Sequence, residues 1–197
     1  MNFQPKRIIP AMVTPVTSHG KINVQALRNL TNYVIEGGVH GLFPVGSQGE
    51  FYALTFEEKK RVIEVVVEEV RGRVPVYAGT GAITTREAVA LTKMAEAAGA
   101  SAVSVITPYF IRPNEAELLE FYTAIAKATR LPVLLYNNPG RTGVNISPDF
   151  VLRASKLDNI VGIKDSSGDL TVTAEYIRRT GETFSVLAGR DTLIYGT

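Results

Sequence analysis

A (β/α)8 TIM barrel, running short after its seventh strand, is the fold class this sequence predicts, and three observations predict it. Seven short runs of aliphatic and β-branched residues are apolar on both faces, as strands of a parallel sheet covered by helices are. Amphipathic segments with helix start and stop signals separate them, and strand plus helix recurs every roughly 25–35 residues, the length of a βαβ unit. Polar residues gather at the C-terminal ends of the runs, the rim where barrels build their sites. No Gly-x-Gly-x-x-Gly follows the first run, which weighs against the competing open, doubly wound sheet.

In chain order, the expected strands are residues 8–13, 41–45, 74–78, 102–106, 132–136, 160–164 and 184–188. Between them, Thr55 with Glu58, Thr84 with Glu87 and Asn114 with Glu117 each fit a capping box or its Asn variant, where cap and third residue satisfy each other's amides. Ser147-Pro148 places a cap ahead of a proline in the first helical turn. Gly37-Gly38, Gly99 and Gly181 fall where helices should stop. A closed barrel of this type has an eighth strand and typically about 250 residues. These 197 residues end at Gly196-Thr197, inside the helix expected after the seventh strand. The expectation is one barrel domain over residues 1–197 with its C-terminal part missing.

Composition narrows the function classes. The chain is 45% hydrophobic and 20% charged with a net charge of +2, an ordinary globular balance that argues for neither nucleic acid nor anionic membrane. Lys59-Lys60-Arg61 and Arg178-Arg179 read as solvated helix faces. With no cysteine, disulfides and thiolate metal sites are excluded. No leader pattern is read ahead of Pro5 and no apolar run reaches bilayer length, so a cytoplasmic location is expected. His19 and His40 lack metal-ligand spacing, and Asp165 with Asp191 is a weak metal-aldolase pattern without a histidine; no metal is expected.

The chemistry concentrates on the expected rim. Lys164 closes the apolar run from Asn159, so it reads as a lysine at the end of a buried strand. Burial disfavours the ammonium, and a partly neutral amine is a nucleophile that forms Schiff bases with carbonyls. The alternative is a strand-end lysine whose head reaches water. Tyr136 ends the neighbouring strand, where a phenol can pass protons as an imine forms, or simply cap the strand. Gly46-Ser47-Gln48-Gly49-Glu50 reads as an anion-binding nest with a hydroxyl at Ser47, or as a plain turn; without Lys-Ser/Thr it is no nucleotide-binding loop. Arg141 offers a planar fork for a carboxylate, or is a loop cation.

Together, Ala11-Met12-Val13-Thr14-Pro15, Gly46-Ser47-Gln48-Gly49-Glu50, Thr107-Pro108-Tyr109, the stretch from Tyr136 to Gly143, Gly162-Ile163-Lys164 and Ala188-Gly189-Arg190-Asp191 resemble the dihydrodipicolinate synthase and N-acetylneuraminate lyase family. The match covers essentially the whole chain. It implies a (β/α)8 barrel with extra C-terminal helices, and class I lyase chemistry on pyruvate and other 2-oxo acids. It also implies a homotetramer built as a dimer of dimers, or at least a homodimer, and no metal or organic cofactor. By resemblance, Lys164 attacks the 2-oxo carbon, Tyr136 shuttles protons and Ser47 joins the relay. Ser47 and Gln48 would grip the pyruvate carboxylate, and the Gly189 carbonyl would line the pocket. Arg141 is similar to the arginine by which the dihydrodipicolinate synthase branch holds aspartate semialdehyde, on the way to lysine. Two positions depart from that branch: Phe110 replaces a relay tyrosine, and Gln48 replaces a small hydroxyl residue. Both also fit aldolases of 2-oxo-3-deoxy sugar acids. A non-catalytic 2-oxo acid binder or fragment is the remaining alternative.

Overall fold

The computed structural model describes residues 3–193. Five regular strands are present among them: β1 (Tyr77–Gly79), β2 (Ala102–Ile106), β3 (Val133–Asn137), β4 (Ile160–Asp165) and β5 (Ser185–Ala188). They pair in parallel and in chain order. Two further extended segments continue the order beyond β1, with Leu42 bridged in parallel to Val76 and Ala11 to Phe43. The described residues therefore form seven parallel staves in succession, the topology of a (β/α) barrel. The helices between staves are α1 (Val24–Glu36), α2 (Phe56–Val70), α3 (Thr85–Ala97), α4 (Glu115–Ala128), the short α5 (Pro139–Thr142) with α6 (Pro148–Ala154), and α7 (Leu170–Thr180). The helix expected at Gly196 and Thr197 lies outside the described residues.

The first three expected strands are shorter than their sequences suggest. Pro10, Pro44 and Pro75 sit in these staves, and a proline has no N–H to give a ladder. Their carbonyls still accept: Phe43 N–H donates to Pro10, Gly79 N–H to Pro44 and Leu42 N–H to Pro75, each at 3.0 Å. The staves are held in place, but only isolated bridges or a three-residue strand result.

Capping boxes form in full at Thr55–Glu58 and Asn114–Glu117. At Thr84 only half of one forms: its hydroxyl accepts from the Glu87 N–H, while the Glu87 carboxylate lies 3.7 Å from Lys59 Nζ. Lys59 is itself a correction. Expected on a solvated face, it is buried, with its ammonium 6.0 Å from the Phe51 ring centre. Burial draws the long side chain inward, and the carboxylate that would have closed the box goes to its charge instead.

The β3–β4 pairing sets the site. Val133 pairs with Ile160, then the register shifts, and Leu134 pairs with Gly162, Tyr136 with Lys164 and Asn137 with Asp165. Side chains alternate faces along a strand, so without that one-residue bulge Lys164 would stand on the face opposite Tyr136. Gly162 at the bulge has to be a glycine: an added Cβ would lie 2.5 Å from the Ser185 carbonyl oxygen of β5.

Behind the strands, on the helical side, Asn137 and Asp165 build a buried polar clamp. Asn137 Nδ2 donates to Asn145 Oδ1 (2.9 Å) and Asp165 Oδ1 (3.0 Å), while its Oδ1 accepts from the Ile146 N–H. Asp165 accepts further from Ser167 N–H and Oγ and from Thr173 Oγ1 on α7. Tyr176 Oη, also on α7, donates to the Ile146 carbonyl. One network thus ties β3, β4, α7 and the 144–147 loop at the level of the rim.

Candidate active site

Lys164 and Tyr136 stand side by side on β4 and β3, with the Lys164 Nζ 4.5 Å from the Tyr136 ring centre and 4.6 Å from that of Phe43. The two rings meet edge to face, 6.1 Å apart, and form an apolar wall around the amine. Burial pulls the Lys164 ammonium below the ordinary lysine value; the Tyr136 phenol and the Asp191 carboxylate oppose this without reversing it. Burial pushes the Tyr136 phenol up, but the Lys164 charge and hydrogen bonding from Ser47, Asn138 and Ser166 outweigh it and hold the phenol below its ordinary value. Amine and phenol are thus both held below their ordinary values, as groups that exchange a proton at an active site are.

Ser47 Oγ lies 3.4 Å from Tyr136 Oη. Its placement depends on Val45, a buried β-branched residue with φ +59, which turns the chain off the second stave. Such a conformation is costly for valine and survives only where its surroundings impose it. Gly79 makes the room, since a Cβ there would fall 2.0 Å from the Val45 carbonyl oxygen. The nest reading is narrowed by the structure. Gly49, Glu50 and Phe51 N–H groups bond within the turn to Gly46 and Ser47 carbonyls, while the Ser47 and Gln48 amides have no backbone acceptor among the described residues.

One open cleft of about 980 Å³ is lined by all six residues singled out from the sequence: Ser47, Gln48, Tyr136, Arg141, Lys164 and Gly189. Arg141 is exposed on α5 and makes no ion pair among the described residues, so its fork is available. Gly189 lies directly beside the lysine, its N–H donating to the Asp165 carbonyl at 2.7 Å. A Cβ there would sit 2.0 Å from Ser166 Oγ and 3.1 Å from Lys164 Cε. Gly189→Ala is accordingly expected to displace the lysine and slow its reaction with a keto acid about tenfold, measured as the rate of adduct formation.

Phe110 does not line this cleft; it stands outside it, 88% exposed with φ +75. Asp165 does not join Asp191 as a ligand pair, being committed to the buried clamp. Sequence reasoning missed Phe43, Asn138 and Ser166. Phe43 lies in a run, residues 41–45, that is apolar on both faces, so nothing in the pattern told a site residue from a core one; Asn138 and Ser166 lie in loops, where no periodicity points.

The arrangement defines a parallel α/β barrel with a lysine–tyrosine–serine site at the C-terminal ends of its strands. The chain belongs to the dihydrodipicolinate synthetase family, whose profile matches residues 4–196. The 4-hydroxy-tetrahydrodipicolinate synthase of Syntrophus aciditrophicus is 47% identical over 94% of this chain and 64% of its own length. Among solved structures, dihydrodipicolinate synthase DapA-2 of Bacillus anthracis superposes with a TM-score of 0.92 at 42% identity, over 94% of this chain and 63% of that one. The chloride-inhibited dihydrodipicolinate synthase of Acinetobacter baumannii, complexed with pyruvate, gives a TM-score of 0.92 at 40% identity, over 94% and 64%. The chain thus spans a little under two thirds of the length of these relatives.

Proposed function

We propose that this protein is a Schiff-base lyase that joins pyruvate to an aldehyde, with aspartate semialdehyde as the aldehyde and lysine biosynthesis as its setting. The observation that carries the reading is Lys164 in an aromatic wall, its pKa lowered by burial, beside a hydrogen-bonded phenol. The pyruvate complex of the Acinetobacter relative and the names of the curated relatives support it.

The neutral Lys164 amine attacks the 2-oxo carbon; the new C–N bond forms as the carbonyl π electrons move to oxygen, which takes the Tyr136 phenol proton. The ammonium formed passes a proton back to the phenolate. The hydroxyl then leaves as water, taking that proton again, and an iminium remains. Loss of a C3 proton gives the enamine, whose carbon attacks the aldehyde while the aldehyde oxygen gains a proton. Water hydrolyses the imine and frees Lys164. The iminium is itself the electron sink, so this route needs no metal or organic cofactor. Ser47 and Gln48 amides hold the pyruvate carboxylate, the Gly189 carbonyl lines the pocket, and Arg141 holds the carboxylate of the aldehyde.

Borohydride reduction with pyruvate, followed by intact mass and peptide mapping, tests this. A pyruvate-derived mass gain on Lys164 is expected, and no adduct on folded protein would sink the reading in favour of a non-catalytic binder. Arg141→Ala is expected to leave trapping unchanged while slowing condensation with aspartate semialdehyde about 100-fold, as loss of a bidentate contact made to that substrate would. Unaltered condensation in this variant would favour the second reading, an aldolase for 2-oxo-3-deoxy sugar acids. Gln48 favours that reading, because its amide at the cleft suits a hydroxylated aldehyde. The proposal extends to a cytoplasmic homotetramer, or a homodimer at least. Exposed apolar Phe110 and Ile111 on the loop after β2 support assembly, and light scattering reads it.

A further inference from the structure

We propose that Asn138 is a positioning residue of the reaction: its amide holds the Tyr136 phenol oxygen from one side, so that the phenol proton faces Ser47 and the Lys164 amine. This rests on the imine reading above and adds a residue to it.

Asn138 Nδ2 donates to Tyr136 Oη at 3.1 Å. An amide nitrogen donates and never accepts, so the phenol oxygen is the acceptor in that bond and its own proton must point elsewhere. Its remaining partners are Ser47 Oγ, at 3.4 Å, and the Ser166 hydroxyl, with the Lys164 amine over the ring. Asn138 therefore keeps the phenol proton off its own side and turns it toward these partners and the amine. As charge grows on the phenol oxygen during proton transfer, the same N–H···O bond strengthens, and a bond stronger in the transition state than in the ground state accelerates the step.

The amide is held in advance. Asn138 precedes Pro139, which keeps it out of the helical region, and its φ of −144° and ψ of 75° make it the entry to α5. Its carbonyl accepts from the Arg141 and Thr142 N–H groups, both at 3.0 Å, and from Thr142 Oγ1 at 3.1 Å. Thr107 Oγ1, after β2, bonds Thr142 Oγ1 at 3.0 Å and pins the same turn to the neighbouring stave. Asn138 thus connects the phenol to the turn that carries Arg141, and it lines the same cleft. Its neighbour Asn137 is fully buried in the clamp behind the strands, so the two adjacent asparagines divide the work between fold and site.

The test labels tyrosine at Cζ with carbon-13 and follows the Tyr136 resonance with pH in the absence of pyruvate, assigning it by its loss in Tyr136→Phe. Asn138→Leu removes the donor; Asn138→Asp keeps the size and replaces the donor with a negative acceptor. The Tyr136 midpoint is expected to rise by about one pH unit in Asn138→Leu and further in Asn138→Asp. Pyruvate trapping should slow about tenfold in both, with the half-saturating pyruvate concentration changed less than about twofold. An unchanged midpoint in both folded variants, or trapping at the wild-type rate, overturns the proposal. A wild type that traps no pyruvate would instead remove the imine reading, and the titration would still decide whether Asn138 governs the phenol.

Discussion

Lys164→Met is expected to abolish the reduced pyruvate adduct and, in the same variant, to make the protein more stable. The first effect follows from loss of the amine nucleophile placed against the aromatic wall of Phe43 and Tyr136. The second follows from burial. The folded chain holds the Lys164 ammonium below the ordinary value of 10.5 that the unfolded chain retains. Between those two values the unfolded state binds a proton that the folded state has released, so this residue's contribution to stability improves as pH rises through that window. Below the lowered value the whole desolvation penalty falls on the fold. Methionine, similar in length and uncharged, removes it. A gain of about 1 kcal/mol, or about 2–4 °C in Tm at neutral pH, is the expected size, shrinking as the pH approaches 10.5. Tyr136 should then titrate higher than in the wild type, because the cation that lowers it is gone while its burial remains. A calorimetric scan at two pH values checks the sign; a Tm lower than wild type at neutral pH would show that the lysine is not held at a cost.

Asp165→Leu is expected to cost about 3–5 kcal/mol, the largest stability loss of any change considered for this chain. Asp165 is 4% exposed, and its carboxylate receives Asn137 Nδ2, the Ser167 N–H and Oγ, and Thr173 Oγ1. Leucine fills the space but leaves those donors without their acceptor, and an orphaned buried donor costs about 1–3 kcal/mol. The sum stays below four full penalties because Asn137 keeps Asn145 and Thr173 can turn to the Asp169 carbonyl. Against a total stability of about 5–15 kcal/mol the loss is severe. In urea the midpoint should fall by about 2 M. Asp165→Asn retains one carbonyl oxygen and the shape, so about 1–2 kcal/mol is expected there. Equal midpoints for the two variants would show that packing, not hydrogen bonding, is what Asp165 supplies. Because Asn137 and Asp165 directly follow Tyr136 and Lys164, a loosened clamp should also slow trapping.

Much of the architecture was legible because it is local. Alternating apolar runs and amphipathic segments set the order of staves and helices, and the caps at Thr55, Asn114 and Ser147 form where their side chains predict. Where local signals competed with distant partners, the distant ones prevailed. Glu87 has a capping position but turns to Lys59 from another helix. Prolines 10, 44 and 75 thin the first staves without removing them, because neighbouring strands still donate to their carbonyls. Of the site, the chemically distinctive residues could be found in the chain; Asn138 and Ser166 could not, since an asparagine or serine in a loop gains meaning only from what stands beside it.

The sequence by itself determined the βα succession, the family and the identity of the reactive side chains, because periodicity, capping and residue chemistry are properties of neighbouring residues. It could not determine that Tyr136 and Lys164 share one face. That depends on the register shift between Val133 and Leu134 against β4, on Gly162 admitting the β5 backbone, and on the Asn137–Asp165 clamp behind them. Only the tertiary structure decided this, because a one-residue slip between strands changes no local preference yet turns a side chain to the opposite face of the sheet.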